Sequence, residues 1–254
     1  PALAREAQLA LTLRAVLGLT TAEIGRAFLT TEATIAQRIV RAKRKIVAAR
    51  IPYRMPEEHE LTARLGEVLF VLYVLFNEGY LSSGDQAAAR PELVQDAEWL
   101  AGLLVRLLPD QPEALGLLAL MRLHRARVAA RFDAAGHLVL LRDQDRGRWD
   151  HAAIAAATVM VEQALHMGSP GPYQIQAAIA ACHAEAPSWA ETDWRQILAL
   201  YGVLHGLAPS PVVSLNRAIA LRYVRGPAAA LKEVEALHGA LERYHLYHAT
   251  RAEL

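Results

Sequence analysis

Cysteine is almost absent from the chain. Cys182 is the single thiol, so no intrachain disulfide can form and a metal site built from several cysteines is excluded. Long apolar runs are also missing. The stretch from Val68 to Phe76 is far shorter than the roughly 20 residues that span a bilayer, and the first residues lack the basic and apolar regions of a signal peptide. These absences predict a chain that is not exported, makes no membrane contact and works in a reducing, cytoplasmic setting. The alternating Val, Ile and Tyr of strands is rare, whereas Ala and Leu predominate among the apolar residues that make up more than half of the chain. The expected fold class is therefore all-α, with room for two domains.

The net charge of +1 conceals a division of sign. Residues 1–56 hold ten Lys/Arg against three Asp/Glu, a formal +7, and the remainder holds 17 against 23, a formal −6. A polyanion is the natural partner of the first part. A solvated basic helix face would carry the same charge, so the spacing of the side chains has to decide.

Glu6 to Leu17 reads as a helix that Gly18 is placed to end in a left-handed conformation. Thr20 and Thr21 offer N-cap oxygens to a short helix, Ala22 to Phe28, with Ile24 facing the core. Thr31 then opens a longer helix running through Ile46, and Glu32 suits its positive end. Three such pieces make a helix-turn-helix. In the third, at about 100° per residue, Ile35, Ile39, Ala42 and Ile46 share one stripe, which is the core side. Thr34, Gln37, Arg38, Arg41 and Lys45 share another, the side that a recognition helix lays into a major groove. Gln can bond adenine, and Arg guanine, at two points, so Gln37 and Arg41 are the base-reading candidates. Thr31, Arg38, Arg44 and Lys45 are expected on phosphate oxygens, where they hold register.

The run Leu17-Gly-Leu-Thr-Thr-Ala-Glu-Ile-Gly-Arg-Ala-Phe28, followed by Thr31-Glu-Ala-Thr-Ile-Ala-Gln-Arg-Ile-Val-Arg-Ala-Lys-Arg-Lys-Ile46, resembles region four of bacterial sigma factors. The resemblance implies that the second helix of the helix-turn-helix reads the −35 promoter element and that the region docks on the flap of the β subunit of core RNA polymerase. Ala36 stands where the general pattern often has a basic residue. Across the whole chain the similarity is to extracytoplasmic-function sigma factors with a tetratricopeptide-like C-terminal extension. Ile51-Pro-Tyr-Arg-Met-Pro56, Leu75-Phe-Asn-Glu-Gly-Tyr80, Gln144-Asp-Arg-Gly-Arg-Trp149 and Gln176-Ala-Ala-Ile-Ala-Ala-Cys-His-Ala-Glu185 carry it. Such factors also have a region two that melts the −10 element. Nothing before Pro1 supplies one, so the chain is expected to be a fragment that does not initiate transcription unaided.

The organisation expected is a DNA-binding domain over 1–50, a linker over 51–56 and an all-helical extension over 57–254, with its tetratricopeptide-like part over about 150–254. Helices are read at Glu57 to Phe76, ending near Gly79, then Arg90 to Leu108, Glu113 to Arg131, Asp150 to Met167, Gly171 to Glu185, Asp193 to Leu207, Ser210 to Val224 and Gly226 to Arg243. One minor β-hairpin is expected where Asp133 to His137 turns before Leu138.

Few residues suggest an enzyme. His245 and His248 with Cys182-His183 lack the spacing of a metalloprotease, and neither Asn77 to Tyr80 nor Gln144-Asp145-Arg146 with Trp149 supplies a nucleophile with its base. Structural roles are expected instead, such as Glu78 or Asp145 pairing with an arginine across the helical array. No catalytic residue, cofactor or metal is predicted. The other reading of the sequence is a helix-turn-helix regulator or scaffold whose helical array binds a protein or peptide. An acidic extension tethered to a basic domain could also mask the DNA-binding face in close contact.

Overall fold

The computed structural model describes residues 3–51, 58–81 and 90–254. Among them are thirteen α-helices and no strand, so the fold is all-α. Pro52 and Pro56, which define the expected linker, lie outside the described residues. The chain divides into two compact units, Pro1–Leu100 and Ala101–Leu254. No helix among the described residues is long and apolar enough to cross a membrane.

The first unit holds α1 (Arg5–Ala15), α2 (Thr21–Ala27), α3 (Glu32–Ala48), α4 (Glu58–Leu81) and the start of α5 (Pro91–Leu107). Leu9, Ala10, Leu13, Leu19, Ile24, Ile35 and Ile39 are buried. Gly18 takes a left-handed φ of +69°. The chain reverses there, and the Leu19 N–H bonds back to the Leu13 carbonyl at 3.1 Å. Residues 77–79 do not end α4. The helix continues to Leu81, with Gly79 in its interior. A Cβ on Gly79 would stand 2.8 Å from the Arg90 carbonyl oxygen and 2.9 Å from Leu93 Cβ. This glycine admits a neighbouring segment rather than stopping its own.

The second unit holds α6 (Pro112–Arg125), α7 (His151–His166), α8 (Pro172–Glu185), α9 (Trp194–Leu207), α10 (Pro211–Arg225), α11 (Pro227–Glu235), α12 (His238–Leu241) and α13 (His245–Glu253). Proline opens α6, α8, α10 and α11, where its missing N–H costs no helical hydrogen bond. Asp150, Asp193 and Ser210 cap α7, α9 and α10 by accepting from Ala153, Gln196 and Val213 N–H groups. A shared core is built from Ile175, Ile179, Ile197, Leu204 and Ala220, with Cys182 and Trp194 packed against it.

Three sequence expectations change here. The helix expected to run through Arg131 ends at Arg125, and a 3-10 turn follows at Val128–Ala130. The Ala126 carbonyl, which could have continued it, accepts instead from the Asp150 N–H at 2.9 Å. The expected hairpin shrinks to one isolated antiparallel bridge, Phe132 to Leu138, because the Asp133 carboxylate gathers the Ala135 and His137 N–H groups into a local turn. Finally, the helix expected from Gly226 to Arg243 breaks after Glu235. The break lets Tyr247 of α13 reach a core of Leu215, Ala218, Val234 and Leu241, where it is 1% exposed.

Candidate nucleic-acid interface

Local hydrogen bonds set the two helices of the helix-turn-helix. The Thr20 hydroxyl accepts from the Glu23 N–H, and the Glu23 carboxylate accepts from the Thr20 N–H, a capping box that starts α2. Burial pushes the Glu23 carboxyl up, but the Thr20 hydrogen bonds, with Arg90 and Arg26 nearby, outweigh it and hold the group below the usual range. Gly25, inside α2, faces the turn that follows, where a Cβ would meet the Thr30 carbonyl oxygen at 3.0 Å. Leu29 turns the chain with a φ of +51°. Thr31 caps α3, accepting from the Thr34 N–H at 3.2 Å, and its hydroxyl shares a 2.8 Å hydrogen bond with that of Thr34. Glu32 accepts from the Thr21 hydroxyl at 2.6 Å. Replacing Thr31 by Ala is expected to cost about 1 kcal/mol, read as a lower urea midpoint for the first unit; an unchanged midpoint would deny the cap its role.

Along α3, Ile35, Ile39 and Ala42 are buried, and Ile46 is half-buried. Thr31, Thr34, Gln37, Arg41, Arg44 and Lys45 are exposed. Among the described residues no ion pair engages Arg41, Arg44 or Lys45, and their exposed side chains concentrate positive charge on this face. Arg38 differs from its neighbours: it is half-buried, donates to Glu6 of α1 at 2.8 Å and lies 5.9 Å above the Phe28 ring. The structure thus brings four long polar side chains onto one open face and turns the fifth toward the domain's own framework. Val40 and Val47 of the same helix are 47% and 77% exposed. Their seven-residue spacing is visible in the sequence as an apolar pair outside the core stripe.

Helix α4 fastens to this domain away from that basic face. Glu67 pairs with Arg5 at 3.0 Å, Glu78 with Arg26 at 2.6 Å, and Phe70 meets Phe28 edge to face at 5.7 Å. Arg90 reaches Glu23 at 2.9 Å. Glu78 thus pairs with an arginine, but with one of α2 in the helix-turn-helix rather than one across the helical array. Asp145 does not pair with one; it accepts from the Gly147 N–H within its own turn.

The other polar candidates lie in the second unit. Arg146 donates from Nη1 to the His183 and Ala186 carbonyls, both at 2.7 Å, so it closes the C-terminal end of α8. Burial, with the Asp193 and Glu185 carboxylates, raises the Cys182 thiol to about 11, so it stays protonated. His183 stacks on Trp189 and meets Trp194 edge to face. His248 bonds the Glu242 carbonyl at 2.6 Å. Among the described residues, no cluster of three or more His, Cys, Asp or Glu side chains is placed to hold a metal ion.

Residues 1–46 match the model of sigma-70, region 4, and residues 64–165 match a family of unknown function, DUF6596. An uncharacterized protein of Rhizobium meliloti (strain 1021) is 47% identical over 254 residues. The match covers all of this chain and 60% of that protein, so the chain spans less than two thirds of its relative's length. No solved structure matches. The chain carries a sigma-70 region 4 domain at its N-terminus, followed by a domain of the DUF6596 family.

Proposed function

We propose that this chain is the −35-reading part of a sigma factor of the extracytoplasmic-function type, with a tetratricopeptide-like extension that regulates it or binds a protein or peptide. The observation that carries the reading is the open basic face of α3 within a domain that matches region four. On this reading Gln37 and Arg41 meet base edges in the major groove, while Arg44, Lys45 and the Thr31 and Thr34 end of the helix lie along phosphates. Arg38 contributes by fixing α3 on α1 through Glu6, with its remaining donors turned toward the backbone of the DNA. Docking on the polymerase β flap supplies the affinity that so small a module lacks alone. Short links and proline-started helices support the repeat-like reading of the extension.

The test is binding of the 254-residue chain to its upstream DNA, with and without core RNA polymerase, over a range of salt. Arg41→Glu with Lys45→Glu should weaken binding at least about 10-fold and lower the salt slope by roughly 2, one for each lost phosphate or base-edge cation. The footprint should be single-sided and strengthened by polymerase. A tight, two-fold symmetric footprint without polymerase would replace this reading with that of a regulator.

A further inference from the structure

A cleft of about 340 Å³ opens in the second unit, between the start of α7 and the end of α8. Arg146, Trp149, His151, Ile154, Glu185 and Pro187 are among the residues that line it. Its size lies at the lower end of the range for small-molecule sites. The guanidinium of Arg146 sits over the Trp149 indole, with Cζ 4.5 Å from the ring centroid. Nη1 is committed to two α8 carbonyls, but Nη2 is buried without a hydrogen-bond partner, and so is Trp149 Nε1. Trp149 itself is 4% exposed. Among the described residues no carboxylate pairs with Arg146, and its neighbour Asp145 is turned into its own loop. Natural folds seldom leave a buried guanidinium nitrogen or a buried indole N–H without an acceptor, because both forfeit hydration.

We propose that this cleft binds the carboxylate of a small organic ligand, one oxygen accepting from Arg146 Nη2 and the other from Trp149 Nε1. Two donors, one charged and one neutral, match the two oxygens of a carboxylate. A phosphate or sulfate dianion fits less well, because Glu185 places a negative group on the same rim and the other basic side chain in the lining, His151, has its Nε2 engaged with the Arg146 carbonyl at 3.0 Å. The apolar wall of Ile154 and Pro187 suits the ligand's hydrocarbon part. Both nitrogens are shielded from bulk water, so seating the ligand requires the Arg146 fork to swing toward the cleft, and it brings the stacked indole into a new electrostatic environment. Neither group belongs to the proposed DNA-reading face, so this inference stands apart from the sigma-factor reading.

The experiment is calorimetric titration of the 254-residue chain with acetate, short dicarboxylates, the common amino acids, inorganic phosphate and sulfate, followed in parallel by tryptophan fluorescence. Saturable binding of a carboxylate with a fluorescence change is expected. The ranking among simple acids, diacids and amino acids identifies the ligand's source, Glu185 favouring those with an amino group. Trp149→Phe keeps the aromatic face and removes the N–H, and should weaken binding about 5- to 10-fold with the fold intact by circular dichroism. Arg146→Lys should abolish it. Should Arg146→Lys fail to fold, Trp149→Phe alone decides. No binding by any carboxylate at millimolar concentration, equal binding by Trp149→Phe, or tighter binding of phosphate or sulfate overturns the proposal.

Discussion

Gly116→Ala is expected to lower the unfolding free energy of the second unit by about 2–3 kcal/mol, whereas Gly202→Ala should raise it by about 0.5–1 kcal/mol. Both glycines lie in helices with ordinary helical φ, so local propensity favours alanine at each. The difference is in what surrounds them. A Cβ on Gly116 would stand 2.7 Å from Gln174 Cγ, 2.8 Å from the Gln174 backbone N and 2.9 Å from its Cα. Backbone atoms cannot rotate out of the way. They are also held, because the Glu113 carboxylate accepts from the Tyr173 and Gln174 N–H groups at 3.1 and 3.0 Å and from Gln174 Nε2 at 3.2 Å. Separating α6 from α8 by enough to admit a methyl would stretch all three of these bonds and open the packing around Gln174, which is fully buried. Around Gly202 nothing lies within 4 Å of the built Cβ, so only the lower backbone entropy of the unfolded chain is felt. Urea unfolding followed by tryptophan fluorescence reads mainly the second unit, since Trp149, Trp189 and Trp194 belong to it and Trp99, in the first unit, is already exposed in the folded chain. If Gly116→Ala proved as stable as the parent chain, the close approach of α6 and α8 would be wrong.

The same contrast explains what could be read from the sequence. Signals confined to a few neighbouring residues were legible: the Thr31 cap, the Ile35, Ile39 and Ala42 stripe, and the prolines and Asp or Ser caps that start α7 to α10. Each depends on hydrogen bonds or periodicity within one or two turns. Gly79 was misread because a glycine that ends a helix and one that admits a neighbour are the same letter, and the deciding atoms belong to residues 90–94. The break after Glu235 was invisible because it is driven by burial of Tyr247 among residues of α10 and α11. In the candidate interface, the basic face of α3 followed from spacing alone. That Arg38 would be drawn to Glu6 did not, since the two residues are 32 positions apart and meet only once α1 and α3 have packed. Arg146 likewise looked like part of a polar cluster, and its tie to the carbonyls of α8 required the fold.

Acid should remove stability from the second unit well before most carboxylates are protonated. His124 Nδ1 lies 2.9 Å from Arg127 Nη2, and because a guanidinium can only donate, that nitrogen accepts and the ring is neutral. Burial, reinforced by the Arg127 and Arg131 charges and by His183, pushes His124 down to about 3. Burial, with Arg127 and Arg146, pushes His183 down to about 4. In the unfolded chain both rings protonate near the ordinary value of about 6.5. Above that value the folded and unfolded states bind the same number of protons here and the contribution to stability is complete. As the pH falls below it, only the unfolded chain takes up the protons, so stability is lost progressively until the folded rings protonate at about 3 to 4. By roughly pH 4.5 the loss from the two rings together is on the order of 5 kcal/mol, enough to unfold a domain of ordinary stability. The variant His124→Gln with His183→Phe isolates the effect. Glutamine keeps an acceptor for Arg127, and phenylalanine keeps the stack on Trp189 and the edge contact with Trp194. Between about pH 7.5 and 4.5 the double variant should lose less than half of the stability that the parent chain loses. Parallel stability curves for the two proteins would show that the histidines do not report this burial and that acid acts through the carboxylates alone.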